Sequence, residues 1–210
     1  KLCLAAFSRV FVASGQIFPC AYQLSLRPAV SMSKTDDADW VERSMNGDRQ
    51  AFEMLLIKYE KPVFNAAFRM LHSSEDARDV TQTVFLKVYE NLDKYDPAYR
   101  FFSWIYRIAM NESINCLSKH HRAGSSEAEP ESEGGSLEQT ISGDQLRAGL
   151  QSALMQIKPE YRTVIVLKHF LDCSYIEIGE ILEISEKTVK SRLYTGRQLL
   201  KDVLIQSGMH

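Results

Sequence analysis

Five basic side chains and no acidic one lie between Lys187 and Lys201: Lys187, Lys190, Arg192, Arg197 and Lys201. Cations spaced along a helix neutralise phosphates, and an arginine fork can hydrogen-bond both acceptor atoms of a guanine edge. The residues suited to that duty are Lys187, Thr188, Lys190, Ser191, Arg192, Tyr194 and Arg197. In the same stretch Val189, Leu193, Gly196 and Leu200 recur at steps of four, three and four, which makes one apolar helical stripe. Lys187, Lys190, Ser191, Tyr194 and Arg197 fall on other faces. Ser185 is suited to cap such a helix, and Glu186 to its positive end. Ahead of it, Ile176, Ile178, Ile181 and Leu182 supply the apolar side of a shorter helix, with Gly179 where two crossing helices would approach. A short helix, a tight turn and a basic helix form the helix-turn-helix pattern, whose second helix enters the DNA major groove. The same residues also fit a packed helix pair with a solvated basic face.

Other chemistries find few of their parts. The sequence contains no glycine-rich phosphate loop, no H-E-x-x-H and no G-x-S-x-G, so no enzyme is expected. Cys3, Cys20, Cys116 and Cys173 have no C-x-x-C spacing, and His120 beside His121 is poor spacing for joint ligation from a helix. Neither a zinc site nor another cofactor is expected, and reduced thiols in a cytoplasmic protein are the default. No apolar run approaches the roughly 18 residues of a membrane helix, so no membrane insertion is expected.

The net charge of −2 misrepresents the chain until it is divided. Residues 123–146 hold six acids and no base, whereas residues 147–210 hold nine bases against seven acids. Local charge decides phosphate contact, and the acidity is confined to one short segment.

The elements that would position these residues read as helical throughout. Phe52, Leu55, Leu56 and Tyr59 form one stripe, with Pro62 expected as a boundary, and Val63, Phe64, Ala67 and Leu71 continue on a second helix. Ser74, followed by Glu75 and Asp76, opens a third, carrying Val80, Val84, Phe85, Val88 and Leu92. A break at Asp93–Pro97 precedes a fourth, with Trp104, Ile105, Ile108 and Ala109 turned inward. Residues 123–145, rich in Gly, Ser and Glu, read as a flexible acidic linker. Leu150, Leu154 and Ile157 begin a second helical unit, in which Pro159 starts the next helix and Tyr161, Val164, Leu167 and Leu171 face inward. The fold class expected is all-α: two small helical domains joined by that linker. Residues 1–31 resemble neither unit. They read as a disordered leader, either an upstream extension before a natural start at Met32 or a basic transit peptide.

Three segments occur in one order across the linker: Asp76-Ala-Arg-Asp-Val-Thr-Gln-Thr-Val-Phe85, Phe102-Ser-Trp-Ile-Tyr-Arg-Ile-Ala-Met-Asn111, and Ser174–Leu200. Together they resemble a bacterial extracytoplasmic-function (group 4) sigma factor of the sigma-70 family, over about Asp36 to Leu204. The resemblance implies a sigma-2 helical bundle at 32–122, which meets core polymerase and the −10 element. It implies a sigma-4 helix-turn-helix domain at 146–210 for the −35 element. Its partners would be core RNA polymerase (through the clamp helices of the largest subunit and the flap region), promoter DNA and an anti-sigma factor. Asp76, Asp79, Gln82 and Phe85 are the implied polymerase contacts, although a solvated acidic face accounts for the polar three equally and Phe85 could be core.

Strand capture is the remaining task that resemblance implies. Base–aromatic stacking offers about 1–3 kcal/mol per base, enough to hold an unpaired strand open. Aromatic residues interleave with bases between Lys94 and Asn115, and the candidates are Lys94, Arg100, Phe101, Phe102, Arg107, Asn111, Lys119 and Arg122. Asn111 matches the family position that pockets a flipped −10 base, while Trp104 reads as core. Three departures from the family pattern stand out: Thr83 where an acidic residue is common, Glu183 where the turn usually has glycine, and Gly196 inside the recognition helix. The last two are expected to cost about 1–2 kcal/mol (if the turn is left-handed) and about 1 kcal/mol. A helix-turn-helix regulator that never touches polymerase is the alternative; it would bind duplex DNA unaided.

Overall fold

Asp48 starts the longest of the described helices. Its carboxylate accepts the backbone N–H groups of Gln50 and Ala51, and the helix then runs from Arg49 to Leu71, where His72 ends it in a left-handed conformation at φ 56°. The computed structural model describes residues 34–122 and 143–207. The leader expected at 1–31 and residues 123–142 of the expected acidic linker lie outside the described residues. In chain order the helices are α1 (Lys34–Met45), α2 (Arg49–Leu71), α3 (Ser74–Glu90), a 3-10 turn (Leu92–Lys94), α4 (Phe101–Arg122), α5 (Gly143–Met155), α6 (Pro159–His169), α7 (Tyr175–Leu182) and α8 (Glu186–Gln206). No strand occurs among the described residues.

Pro62 does not divide α2. It sits inside one continuous helix, leaving the carbonyl four residues back without its usual donor. Burial on both sides outweighs that loss: Tyr59 and Val63 are at most 1 % exposed. Around α2 gather Val84 and Val88 of α3 and Ile105, Ala109 and Met110 of α4, all fully buried. The Tyr59 hydroxyl donates to Asp37 (2.7 Å) and the Lys58 ammonium approaches the same carboxylate at 2.6 Å, which ties α1 to α2. Burial, with Asp37 alongside, drives the Tyr59 hydroxyl far above its ordinary range, so it stays a proton donor.

The second group packs Leu154 of α5, Val164 and Leu167 of α6, Ile178 and Ile181 of α7, and Val189 and Leu193 of α8. Pro159 occupies the first turn of α6, where its missing N–H has no intrahelical partner to lose. Ser174 caps α7 with a reciprocal box: its hydroxyl accepts from Glu177 N–H while the Glu177 carboxylate accepts from Ser174 N–H. Ser185 caps α8 by accepting from Thr188 N–H, as the sequence suggests. Ile176 departs from expectation: it is 64 % exposed rather than on the packed side of α7. Tyr161, Leu171 and Ile108 are half-buried.

Two glycines explain how closely this group is set. A Cβ on Gly179 would stand 2.9 Å from the Ile184 carbonyl oxygen, so the neighbour that demands glycine is the turn after α7. Backbone cannot retreat as a side-chain tip can, and Gly179→Ala is expected to lower stability by about 1–3 kcal/mol, read as a reduced urea midpoint. An unchanged midpoint would mean the turn has slack. Gly196 is not the weak point expected from propensity. It lies buried where α8 crosses α6, and an added Cβ would meet Ile165 Cδ1 at 3.1 Å and Tyr161 Cβ at 3.3 Å. The loss in helix propensity is exchanged for close approach of the two axes.

The two helical groups pack on each other. Arg162, 4 % exposed on α6, donates to the Met155 carbonyl (2.8 Å), the Ile157 carbonyl (2.9 Å) and, across the seam, the Met70 carbonyl in the last turn of α2. Arg69 donates to Gln151 Oε1 at 3.0 Å beside it.

Candidate nucleic-acid interface

On α8 the stripe Val189, Leu193 and Gly196 is buried, which leaves the cationic positions outward. Lys187, Lys190, Ser191, Tyr194 and Arg197 are exposed, Tyr194 by 68 %, and Thr188 is half-buried at the first turn. Two of the cations already have partners. Lys190 pairs with Glu186 one turn back (2.6 Å), and Arg197 donates to His169 Nε2 at 3.2 Å. Burial first, then Arg197 and Lys168, depress the His169 pKa, which keeps it a neutral acceptor for that bond. Arg192 is half-buried and lines a cleft of about 420 Å³ together with Asn111, Ile114, Pro159, Thr163 and Leu182.

The residues expected to hold an unpaired strand are divided by the fold. Asn111, Lys94, Lys119 and Arg122 are exposed, with Lys94 reaching Asn91 Oδ1 at 2.8 Å. Phe102 is half-buried against Tyr106, ring centroids 4.6 Å apart. Phe101 corrects the expectation: only 3 % exposed, it packs edge-on to Tyr59 and Tyr95 and against Trp104, so its ring belongs to the core. Its register explains this, because α4 begins there and turns position 101 toward α2. Trp104 itself is half-buried rather than fully inward. Tyr99, 52 % exposed in the preceding loop, is the most exposed aromatic ring between Lys94 and Asn115.

Arg100 and Arg107 are engaged within the chain. Arg100 pairs with Glu177, and Arg107 pairs with Glu183 (2.8 Å) and donates to the Glu180 backbone carbonyl (2.7 Å). Ser103 donates to the Glu180 carboxylate at 3.1 Å. One edge of α7 therefore lies along the face of α4 that carries these cations. Glu183 holds a left-handed backbone (φ 55°, ψ 40°), the conformation in which a residue with a Cβ is strained by roughly 1–2 kcal/mol. It is the position where glycine would be conformationally easier, and its side chain is the one that meets Arg107.

Of the expected polymerase contacts, Asp76 is half-buried, Asp79 is exposed and Gln82 is half-buried on α3. Phe85 is 2 % exposed and part of the core, so only the polar three present a surface. Thr83 shares that surface, half-buried.

Two family models match the chain, Sigma-70 region 2 over residues 55–123 and Sigma-70, region 4 over residues 147–200. The ECF RNA polymerase sigma factor SigW of Bacillus subtilis is 33% identical over 176 residues, 78% of this chain and 94% of that protein. The chain belongs to the ECF sigma factors of the sigma-70 family. The ECF RNA polymerase sigma-E factor of Escherichia coli is 31% identical to this sigma factor over 172 residues, 76% of this chain and 90% of that one. Its fold is also that of CnrH, solved in complex with the cytosolic domain of CnrY: TM-score 0.64 at 24% identity, covering 81% of this chain and 98% of that one. A second likeness is to the sigma factor RpoE of Bartonella quintana, solved with the anti-sigma factor NepR (TM-score 0.58, 20% identity, 73% and 96% covered).

Sequence reasoning about this sigma factor missed Glu177, Glu180 and Glu183 as partners of Arg100, Ser103 and Arg107, and Arg162 as a residue that joins the halves. Glu177 and Glu180 fall three apart on one face of α7, and Glu183 follows at its C-terminal cap. That spacing marks an acidic edge, but nothing in the sequence places it opposite Arg100 and Arg107. No helix among the described residues is long and apolar enough to cross a membrane.

Proposed function

We propose that this sigma factor binds core RNA polymerase, directs it to promoters by reading a −35 and a −10 element, and helps open the duplex. The observation that carries this reading is the pair of family regions in the correct order, the second containing a helix whose exposed face is cationic. Residues 32–122 and 146–210 serve as the two modules. Lys187, Thr188, Lys190, Ser191, Tyr194 and Arg197 contact phosphates or base edges in the major groove, with Arg192 positioned beside them. Tyr99, Phe102, Asn111, Lys94, Lys119 and Arg122 hold the unpaired strand, joined by Arg100 and Arg107 once these are released. Asp76, Asp79 and Gln82 meet the polymerase clamp. The chain acts by binding rather than by catalysis, in the cytoplasm where polymerase resides. An anti-sigma factor restrains it, a reading supported by the complex of RpoE, a protein of the same fold, with NepR.

The packed arrangement is a resting form. Elements named for positions −35 and −10 lie about 25 base pairs apart, roughly 85 Å of duplex at 3.4 Å per step. Asn111 and Arg192 line the same cleft, so they cannot serve both elements at once without the halves separating.

Run-off transcription from genomic promoter fragments, with and without the chain added to core polymerase, tests the reading. Specific transcripts should require the chain. Arg192→Ala should weaken promoter binding by the polymerase complex by about 1–3 kcal/mol, or about 5- to 150-fold. Equal affinity at fixed salt would remove Arg192 from the reading set. Tight duplex binding by the chain alone, with no gain from core enzyme, would favour a polymerase-independent regulator.

A further inference from the structure

On the side of α4 away from α7, three side chains of different chemistry converge. His120 Nε2 lies 3.5 Å from Asp76 Oδ1 and 4.0 Å from Cys116 Sγ, and the donor atoms of all three fall within 4.8 Å of one another. Cys116 and His120 are four apart, one turn of the same helix, so both project from one face of α4. Asp76 comes from the first turn of α3, fixed by the N-cap in which its own N–H donates to Ser73.

We propose that Asp76, Cys116 and His120 form a binding site for a single borderline divalent metal ion, zinc foremost. Tetrahedral zinc holds sulfur at about 2.3 Å and nitrogen or oxygen at about 2.0–2.2 Å, which sets neighbouring donors about 3.3–3.7 Å apart. The distances found are already within a few tenths of an ångström of that range for two of the three pairs. A set of one sulfur, one imidazole and one carboxylate suits zinc or cobalt, whereas calcium and magnesium take oxygen ligands almost alone. Three protein ligands leave a fourth position for water, as in open zinc sites. Asp79, three residues on from Asp76, adds negative charge nearby. His121 is not part of the set. The adjacency that makes the histidine pair unsuitable for joint ligation is irrelevant, because His120 is joined instead to residues from another turn and another helix.

The site has a consequence for function, and this half of the proposal rests on Asp76 being a polymerase contact. A carboxylate coordinated to a cation no longer presents its charge to a partner. Metal binding at the junction of α3 and α4 would therefore remove part of the docking face and make association with core polymerase sensitive to free zinc.

Cobalt(II) serves as the probe, because thiolate ligation gives a charge-transfer band and tetrahedral geometry gives intense visible d–d bands. The full-length reduced chain should develop both on titration, saturating at one equivalent. Cys116→Ser should abolish the charge-transfer band, and His120→Asn should weaken the tetrahedral bands, each with an unchanged far-ultraviolet circular dichroism spectrum. No band in the parent chain, or a band that survives in Cys116→Ser, overturns the site, since the latter would place the metal on another thiol. Core-polymerase association is then measured with and without one equivalent of zinc. A several-fold loss in the parent chain, absent in Cys116→Ser, supports the coupling. Cobalt binding with no zinc effect on association overturns the coupling and leaves the site. Failure of the metal-free chain to associate at all would count against the sigma-factor reading of Asp76, a separate result from either.

Discussion

Arg162→Met is expected to destabilise the protein by about 2–4 kcal/mol, the cost of leaving buried carbonyls without a donor. The guanidinium is buried without a carboxylate partner and donates to three backbone carbonyls, those of Met70, Met155 and Ile157. Hydrogen bonds to charged groups contribute about 1.5–3 kcal/mol each net of the exchange with water, and removing the donor leaves buried acceptors unsatisfied at about 1–3 kcal/mol each, offset in part by the desolvation of the guanidinium that is no longer needed. Burial lowers the Arg162 pKa to about 10, so the group remains cationic at neutral pH. Methionine retains much of the volume, which makes the loss one of polar satisfaction rather than of packing. Urea unfolding followed by circular dichroism gives the measure, and a decrease below about 1 kcal/mol would show that the carbonyls find other donors. Because one of the three acceptors lies across the seam, the variant should also unfold with a lower denaturant slope as the halves lose cooperativity.

The second large effect concerns the acidic edge of α7. Replacing Glu177, Glu180 and Glu183 together with glutamine should shift the chain toward a separated form and tighten its hold on an unpaired strand by about tenfold. The Arg107–Glu183 pair is too exposed to contribute more than about 0.2–1 kcal/mol, and the more sheltered Arg100–Glu177 pair somewhat more. Their combined loss, with weakening of the Ser103–Glu180 bond, reaches about 1–2 kcal/mol, a factor of roughly 5 to 30 in population. Glutamine is chosen because it can still complete the Ser174 capping box, which keeps α7 intact. Energy transfer between dyes on α3 and α8 should fall, and anisotropy of a labelled single-stranded oligonucleotide should report the tighter binding. If both readouts match the parent chain, the contacts between α4 and α7 do not restrain it.

Periodicity and caps made most of the helices legible. Ser185 marks the start of the second helix of the helix-turn-helix, and the stripe Val189, Leu193, Gly196 identifies which side of α8 is buried, whereas the Ser174 cap of α7 was not read. The rule that a proline marks a helix boundary fails at Pro62. Local rules weigh one lost hydrogen bond, whereas this helix is held by long-range burial of Tyr59 and Val63 on either side. Phe85 was legible as core from its place on the stripe of Val80, Val84 and Val88, but Phe101 was not, since a ring at the start of a helix suits either a partner or an interior until the register of that helix is fixed. The engagement of Arg100 and Arg107 by α7 was not legible at all. It depends on how two modules seat against each other, and neither module's own pattern encodes that.

Gly196 makes the angle of α8 a matter of leverage. The helix rises about 1.5 Å per residue, so Lys187 stands about 14 Å from the crossing point at Gly196. A tilt of about 5° there would swing the N-terminal end of α8 by more than about 1 Å, enough to misalign any hydrogen-bonded contact made from it, whose useful range is a few tenths of an ångström. Tyr161 and Ile165, set against α8 at that crossing, would thereby act as the fulcrum for the proposed groove contacts. Selection for a new −35 sequence could act on those two residues as readily as on the side chains that enter the groove.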